Sequence, residues 1–346
     1  MLNIIFAILI VPFVPIFMYG DLIVAKSEAK NIILESQVLG EENQKTETAS
    51  CQSEAENIVS RDLFPLKEKI PSHVIPKRKL DYADVKIWSG ASVVIDADSG
   101  TILHYEEGRK QTQIASLTKI MTAILVMENV KNLDETATIT KTALNVDGTV
   151  VGCPTSIFCN ANQMYVGEKI TVKNLLKAML LNSANDAATA LAIHVAKTPE
   201  DFVKLMNVKT KELGLKDTNF CTPSGLEIDG KEMDCYSSAY DIARIASHSL
   251  QYAIIWDIMR VEEDQIYSID GKYMHQLKNT DMLLREMPNC LGGKTGFTPL
   301  AGKSLLTVAA DPTGKHKIIS VILNDENRWE DMKKLVDWTF ANYEWK

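Results

Sequence analysis

The sequence predicts an α+β fold: an antiparallel sheet flanked by helices, drawn from the two ends of a folded region, with a helical lobe inserted between them. Two observations carry this. Short apolar runs joined by turn residues lie near residue 92 and again from residue 302, and the stretch between them is dominated by helical apolar spacing. The 346 residues are 46 % hydrophobic and 24 % charged, which allows a sizeable core and excludes a polytopic membrane protein or a wholly disordered chain. A net charge of −8 without a local basic excess argues against nucleic acid as a partner.

Residues 1–20 carry no charged side chain before Asp21, and residues 4–18 are almost wholly apolar. This reads as a signal peptide or an N-terminal membrane anchor, and in either case as export. Pro12 and Pro15 interrupt the run, no Lys or Arg precedes it, and Ser27-Glu28-Ala29 offers a passable cleavage site, so both readings stand. Residues 21–85 form a polar linker and lead-in, acidic at first and then marked by Pro65, Pro71 and Pro76. The folded domain is expected over 86–346.

Within it, residues 92–105 predict a hairpin turning at 96–100. Helical spacing follows Ser116 through Ile120, Ala123, Ile124 and Met127, and another helix starts at Thr171 and pauses at 182–185. Residues 186–196 are Ala-rich and apolar on most faces, as a buried helix should be. Helices are expected over 200–213, stopped by Gly214, and over 238–250. Residues 302–310 and 317–323 predict strands joined by Asp311-Pro312-Thr313-Gly314, and 330–343 a closing helix with Met332, Leu335, Val336 and Phe340 on one side. Six cysteines, at 51, 153, 159, 221, 235 and 290, suit an exported protein. Cys153 with Cys159, and Cys221 with Cys235, could each close a loop, or the thiols could be free and buried. Their spacing does not suit zinc.

Three short signals follow in order: Ser116-Leu117-Thr118-Lys119, Ser183-Ala184-Asn185, and Lys294-Thr295-Gly296. Each alone is weak, and a second S-x-x-K lies in the linker at Ser27 to Lys30. Ser116 is expected to open a helix, with Lys119 one turn on over the same face. A serine hydroxyl needs a base, and a lysine amine serves only if burial or a neighbouring cation lowers its pKa. Lys294 would be that cation if its strand lay alongside, and Gly296 would let a substrate backbone approach. The plainer alternatives are an N-cap for Ser116, an ordinary break between helices for Ser183 and Asn185, and a solvated turn for Lys294 to Gly296.

The strings around these signals, residues 115–123, 180–188 and 293–298, resemble the low-molecular-weight penicillin-binding proteins, the serine D-alanyl-D-alanine carboxypeptidases. Residues 206–220 and Tyr236-Ser237-Ser238-Ala239-Tyr240-Asp241 extend the resemblance, which covers about residues 86–345. It implies a serine β-lactamase/D,D-peptidase-like fold and a peptidoglycan stem peptide ending in D-Ala-D-Ala as substrate. By position, Ser116 becomes the acylated nucleophile, Lys119 its base and Ser183 a proton relay, with Asn185 a substrate holder. Lys294 and Thr295 would meet the terminal carboxylate of the peptide or of a β-lactam. The backbone N–H groups of Ser116 and Phe297 would form an oxyanion hole, with Gly296 beside them, and Arg328 would add a second cation. No metal or cofactor is implied.

Two departures bear on the cleft: Ala184 stands where the family has glycine, and Gly293 where it has an aliphatic residue. The chain also stops at Lys346, where many relatives continue into a β-rich domain and a C-terminal anchor, so attachment to the membrane is expected through the N-terminus. A class A-like β-lactamase would need an E-x-x-L-N string between the second and third signals, which is absent. A D,D-endopeptidase and a non-catalytic penicillin or muropeptide sensor share the same residues. A P-loop fails because five residues, not four, separate Gly296 from Gly302.

Overall fold

The computed structural model describes residues 74–79, 83–153, 159 and 162–346. The apolar N-terminal segment, the acidic linker and Cys51 lie outside the described residues.

Alternation within the strands builds the central layer. Strand β1 (Ala91–Asp96) is buried on both faces and turns through 97–101 into β2 (Ile102–Glu106). From the far end of the chain come β3 (Cys290–Thr298), β4 (Gly302–Ala310) and β5 (Lys317–Leu323). They assemble in the order β2-β1-β5-β4-β3, all antiparallel, so that β1 pairs with β5 across more than two hundred residues of chain. Val94, Leu305, Ile318 and Ile322 face one way. They pack on Met332, Leu335 and Val336 of the closing helix, Arg328–Asn342. Val93, Ile95, Leu306, Val308, Ile319 and Val321 face the other way, into the helical lobe. Two-residue periodicity thus gives the sheet two separate cores.

The lobe contains α1 (Lys119–Asn129), α2 (Val172–Leu181), α3 (Asn185–Ala196), α4 (Pro199–Glu212), α5 (Ala239–Ser249) and α6 (Ala253–Met259); Arg328–Asn342 is α7. The hydroxyls of Thr171, Thr198 and Ser238 accept the N–H groups of Asn174, Asp201 and Asp241, which starts α2, α4 and α5. Gly214, at φ +62°, ends α4.

The expected start of α1 needs correcting. Residues Ala115–Thr118 form a separate 3₁₀ turn, and the α-helix begins at Lys119 rather than Ser116. The Lys119 N–H bonds back to the Ser116 carbonyl three residues earlier, the spacing of a 3₁₀ turn, which the chain enters through Ala115 at φ +47°. Helix α6 and the small strand pairs Thr136–Thr138 with Lys169–Thr171 and Glu263–Tyr267 with Met274–Lys278 were not legible in the sequence pattern. The small strands are short and largely exposed, so they carry little apolar alternation.

Lys77–Arg78 pairs with Tyr343–Glu344, and the Trp338 indole donates to the Ala83 carbonyl. Both open cysteine pairings resolve as disulfides, Cys153 with Cys159 and Cys221 with Cys235, while Cys290 is a free thiol. Among the described residues no helix is long and apolar enough to cross a membrane.

Candidate active site

The 3₁₀ turn places Ser116 against Lys119. Gly225, at φ +84°, holds the turn from behind: a Cβ there would fall 2.0 Å from the Ala115 carbonyl oxygen, so the position admits only glycine. Lys119 Nζ lies 2.7 Å from Ser116 Oγ, 2.8 Å from Asn185 Oδ1 and 2.7 Å from the Ser224 carbonyl oxygen. The last two oxygens only accept. A neutral amine that donates its two protons to them is left with its lone pair for the Ser116 hydroxyl. Neither Ser116 nor any neighbour caps the turn through its side chain, so the N-cap alternative fails.

Ser183 and Asn185 come from the break between α2 and α3, at the sheet side of the lobe. Ser183 is buried at φ +58°, and its hydroxyl accepts from Lys294 Nζ at 2.8 Å. Asn185 is fixed at both ends, since its amide donates to the Asp147 carbonyl at 2.7 Å while its oxygen accepts from Lys119. Ala184 is fully buried in extended backbone, φ −65° and ψ 122°, which any residue adopts, so alanine in place of glycine strains nothing here.

The third signal lies on the edge strand β3, buried rather than a solvated turn. Gly296 runs close under the Ser116 turn, where a Cβ would be 2.9 Å from the Ile114 carbonyl oxygen. Thr295 Oγ1 meets Thr280 Oγ1 at 2.7 Å, and the Thr298 hydroxyl donates to Glu227. Phe297 stands at the open end, 61 % exposed. Arg328 is no surface residue. It donates to the Gly296 carbonyl at 2.9 Å and the Ser304 carbonyl at 3.3 Å, and so braces β3 and β4 from α7.

Both lysines are wholly buried, and their electrostatics differ. Burial, then the charge of Lys294, holds Lys119 well below the ordinary lysine range, partly offset by Asp186. Burial, then Arg328, brings Lys294 down to about 7, partly offset by Asp281. Asp186 is itself pushed up to about 6 by burial, although the Val151 and Ala187 N–H groups donate to it. The site can therefore present a neutral amine to a serine hydroxyl and a cation to an anion in the same cleft. Among the described residues no group of three or more His, Cys, Asp or Glu is placed to hold a metal ion.

All nine sequence-predicted residues fall in one region, joined by the contacts above. Sequence reasoning missed Ser224, Glu227, Thr280 and Asp281. The Pro223-Ser224-Gly225 turn was a usable signal for the first. Nothing local marks Thr280 or Asp281, which reach the site only because their segment docks against β3.

The chain is similar in sequence and fold to known proteins. The D-alanyl-D-alanine carboxypeptidase family, peptidase S11, matches residues 78–327. D-alanyl-D-alanine carboxypeptidase DacF of Bacillus subtilis (strain 168) is 34 % identical over 260 residues, 73 % of this chain and 62 % of that protein. The chain thus spans less than two thirds of that relative's length. Among solved structures, the Streptomyces K15 DD-transpeptidase superposes with a TM-score of 0.66 at 25 % identity, over 75 % of this chain and 100 % of that one. The D-alanyl-D-alanine carboxypeptidase from Mycobacterium tuberculosis H37Rv gives a TM-score of 0.66 at 25 % identity, over 77 % and 96 %. Fold, site geometry and these similarities converge, and the chain belongs to the peptidase S11 family of D-alanyl-D-alanine carboxypeptidases.

Proposed function

We propose that this chain is an extracytoplasmic serine D,D-carboxypeptidase that removes the terminal D-alanine from peptidoglycan stem peptides or their precursors. One observation carries the reading: Lys119 Nζ donates to two oxygens that can only accept, which turns its lone pair toward Ser116 Oγ at 2.7 Å. In this reading Lys119 takes the proton as Ser116 attacks the carbonyl of the D-Ala-D-Ala bond. The developing oxyanion meets the N–H groups of Ser116 and Phe297. Lys294, with Thr295, binds the terminal carboxylate, and Ser183, already hydrogen-bonded to Lys294, passes a proton toward the leaving D-alanine. Water then hydrolyses the acyl-enzyme, and Lys119 serves as base again.

Arg328 acts on the carboxylate site by bracing β3 and by its charge. Its Nη1 donates to the Gly296 and Ser304 carbonyls, which supports bracing, while its Nε is buried without a hydrogen-bond partner. A β-lactam presents the same carbonyl and carboxylate, so it should acylate Ser116. Two disulfides and an apolar N-terminal segment support an extracytoplasmic location, at the outer face of the cytoplasmic membrane if that segment is retained. The test is release of D-alanine from a stem peptide ending in D-Ala-D-Ala by the full chain, repeated after labelling with fluorescent penicillin. Release that falls in step with labelling of Ser116 supports the carboxypeptidase. Labelling without release from any stem peptide overturns it in favour of a sensor, and rapid loss of label with hydrolysed drug overturns it in favour of a β-lactamase.

A further inference from the structure

The residue before Lys294 is glycine, and the structure gives it a reason. A Cβ at Gly293 would lie 2.4 Å from Asp281 Oδ2 and 2.5 Å from the Leu306 carbonyl oxygen. The space left by the missing side chain is thus occupied by a carboxylate. Asp281 is 4 % exposed, and one of its oxygens accepts from the Leu283 N–H. The other, Oδ2, is buried without a hydrogen-bond partner. A buried carboxylate oxygen left unpaired is costly to stability, so it calls for a role.

Its surroundings supply one. Asp281 follows Thr280, whose hydroxyl meets that of Thr295, so the two segments lie side by side at the carboxylate end of the cleft. Its carboxylate acts on Lys294 of β3, Arg328 of α7 and the Cys290 thiol at the start of β3. Lys294 in turn faces Arg328, Asp281, the Ser183 hydroxyl and, across the cleft, Lys119. Asp281 is therefore the negative group that faces the Lys294 and Arg328 cations, as Asp186 is for Lys119.

We propose that Asp281 is a positioning residue whose charge, set against β3 beside Lys294, keeps Lys294 charged for a substrate's terminal carboxylate, and that Gly293 is the residue that admits it. This rests on the reading of Lys294 as the carboxylate-binding cation. Burial and Arg328 both drive Lys294 toward the neutral amine, and the Asp281 charge opposes them. Burial also pushes the Asp281 carboxyl up to about 6. Folding therefore favours its protonated form, and its ionisation lowers stability as pH rises through about 6.

The test compares full-length wild type, D281N, G293V and the double variant. It measures acylation by benzylpenicillin across pH 5–9, phosphonylation of Ser116 by a fluorophosphonate that carries no carboxylate, and thermal unfolding. In D281N, penicillin acylation at pH 7.5 should fall by on the order of tenfold. Its alkaline limb should move down by about one pH unit, one unit of pKa being a tenfold change in the charged fraction. Fluorophosphonate labelling should stay within about twofold, because that probe does not use Lys294. G293V, whose side chain displaces the carboxylate, should reproduce the shift, and the double variant should lose little more than either single change. D281N should unfold at a higher temperature than wild type at pH 8, with the gap closing toward pH 4. An unmoved alkaline limb, or equal losses with both probes, overturns the role of Asp281. A wild-type chain that penicillin fails to acylate overturns the carboxylate-site reading beneath it.

Discussion

The two buried lysines of the cleft are the same side chain set among different neighbours. Lys119 is surrounded by neutral oxygens, from Ser116, Asn185 and Ser224, and the cation nearest in effect is Lys294. Lys294 touches a hydroxyl and a carbonyl but lies in the fields of Arg328 and Asp281. The first setting favours a free base, and the second holds a cation that titrates near 7. Burial depresses both amines most, and each also faces a cation that lowers it further and a carboxylate that offsets part of the fall, Asp186 for Lys119 and Asp281 for Lys294.

The largest effects should come from breaking the Lys119 side. Ser116→Ala should abolish penicillin acylation, read as the mass of the intact chain. Lys119→Ala should slow it by on the order of 10²–10⁴-fold, the usual worth of a general base, with the melting curve little changed. Lys119→Arg should not rescue it, because a guanidinium keeps its proton. Near-normal acylation in any of these would remove the distinction between the lysines.

Lys294→Ala should act on binding instead. The KM for a peptide with a free terminal carboxylate should rise by roughly tenfold to a hundredfold, the range for losing a charged hydrogen-bond partner. The pH profile sharpens the same point. Lys294 carries its charge below about 7 and loses it above, so affinity for the carboxylate should be full on the acid side and decline as pH rises through that value. Because the neighbouring groups titrate together, the limb belongs to the cluster rather than to one residue. A KM that stays flat from pH 6 to 9 would place the carboxylate elsewhere.

Smaller effects probe what holds each side. Cys221–Cys235 closes a loop over a sequence separation of 14 that carries Ser224, Gly225 and Glu227 into the site. Replacing both cysteines with alanine should cost about 3 kcal/mol by the loop-closure relation, read as a fall of several degrees in melting temperature. It should also reduce acylation, since Ser224 orients Lys119. Thr280→Val should have the least effect, a few-fold rise in KM from one lost hydroxyl contact to Thr295.

The difference between the two sides also explains what the sequence could reveal. Ser116 and Lys119 are three apart, and Ser183 and Asn185 flank a visible pause between helices, so local spacing brings each pair together. The sheet was legible for the same reason, because Val93, Val94, Ile319 and Val321 alternate or cluster within short runs. The surroundings of Lys294 were not. Asp281 and Gly293 meet only after β3 docks against the segment before it, and no pattern along the chain records that meeting, whereas Arg328 was placed there by the family resemblance. The left-handed Ala115 was equally silent, since alanine gives no warning of positive φ.

Strand β3 ends the five-stranded sheet, so among the described residues one of its rims lacks a strand partner. In hydrogen-exchange terms this rim is an unfinished ladder. A peptide acyl group laid along it would act as a sixth strand and borrow the sheet's own backbone pairing. Amides on the free rim of β3 should then exchange quickly in the resting chain and slow once Ser116 is acylated by a peptide, while those facing β4 stay protected throughout. Catalysis here would read as the brief completion of a sheet, with the leaving D-alanine at its end.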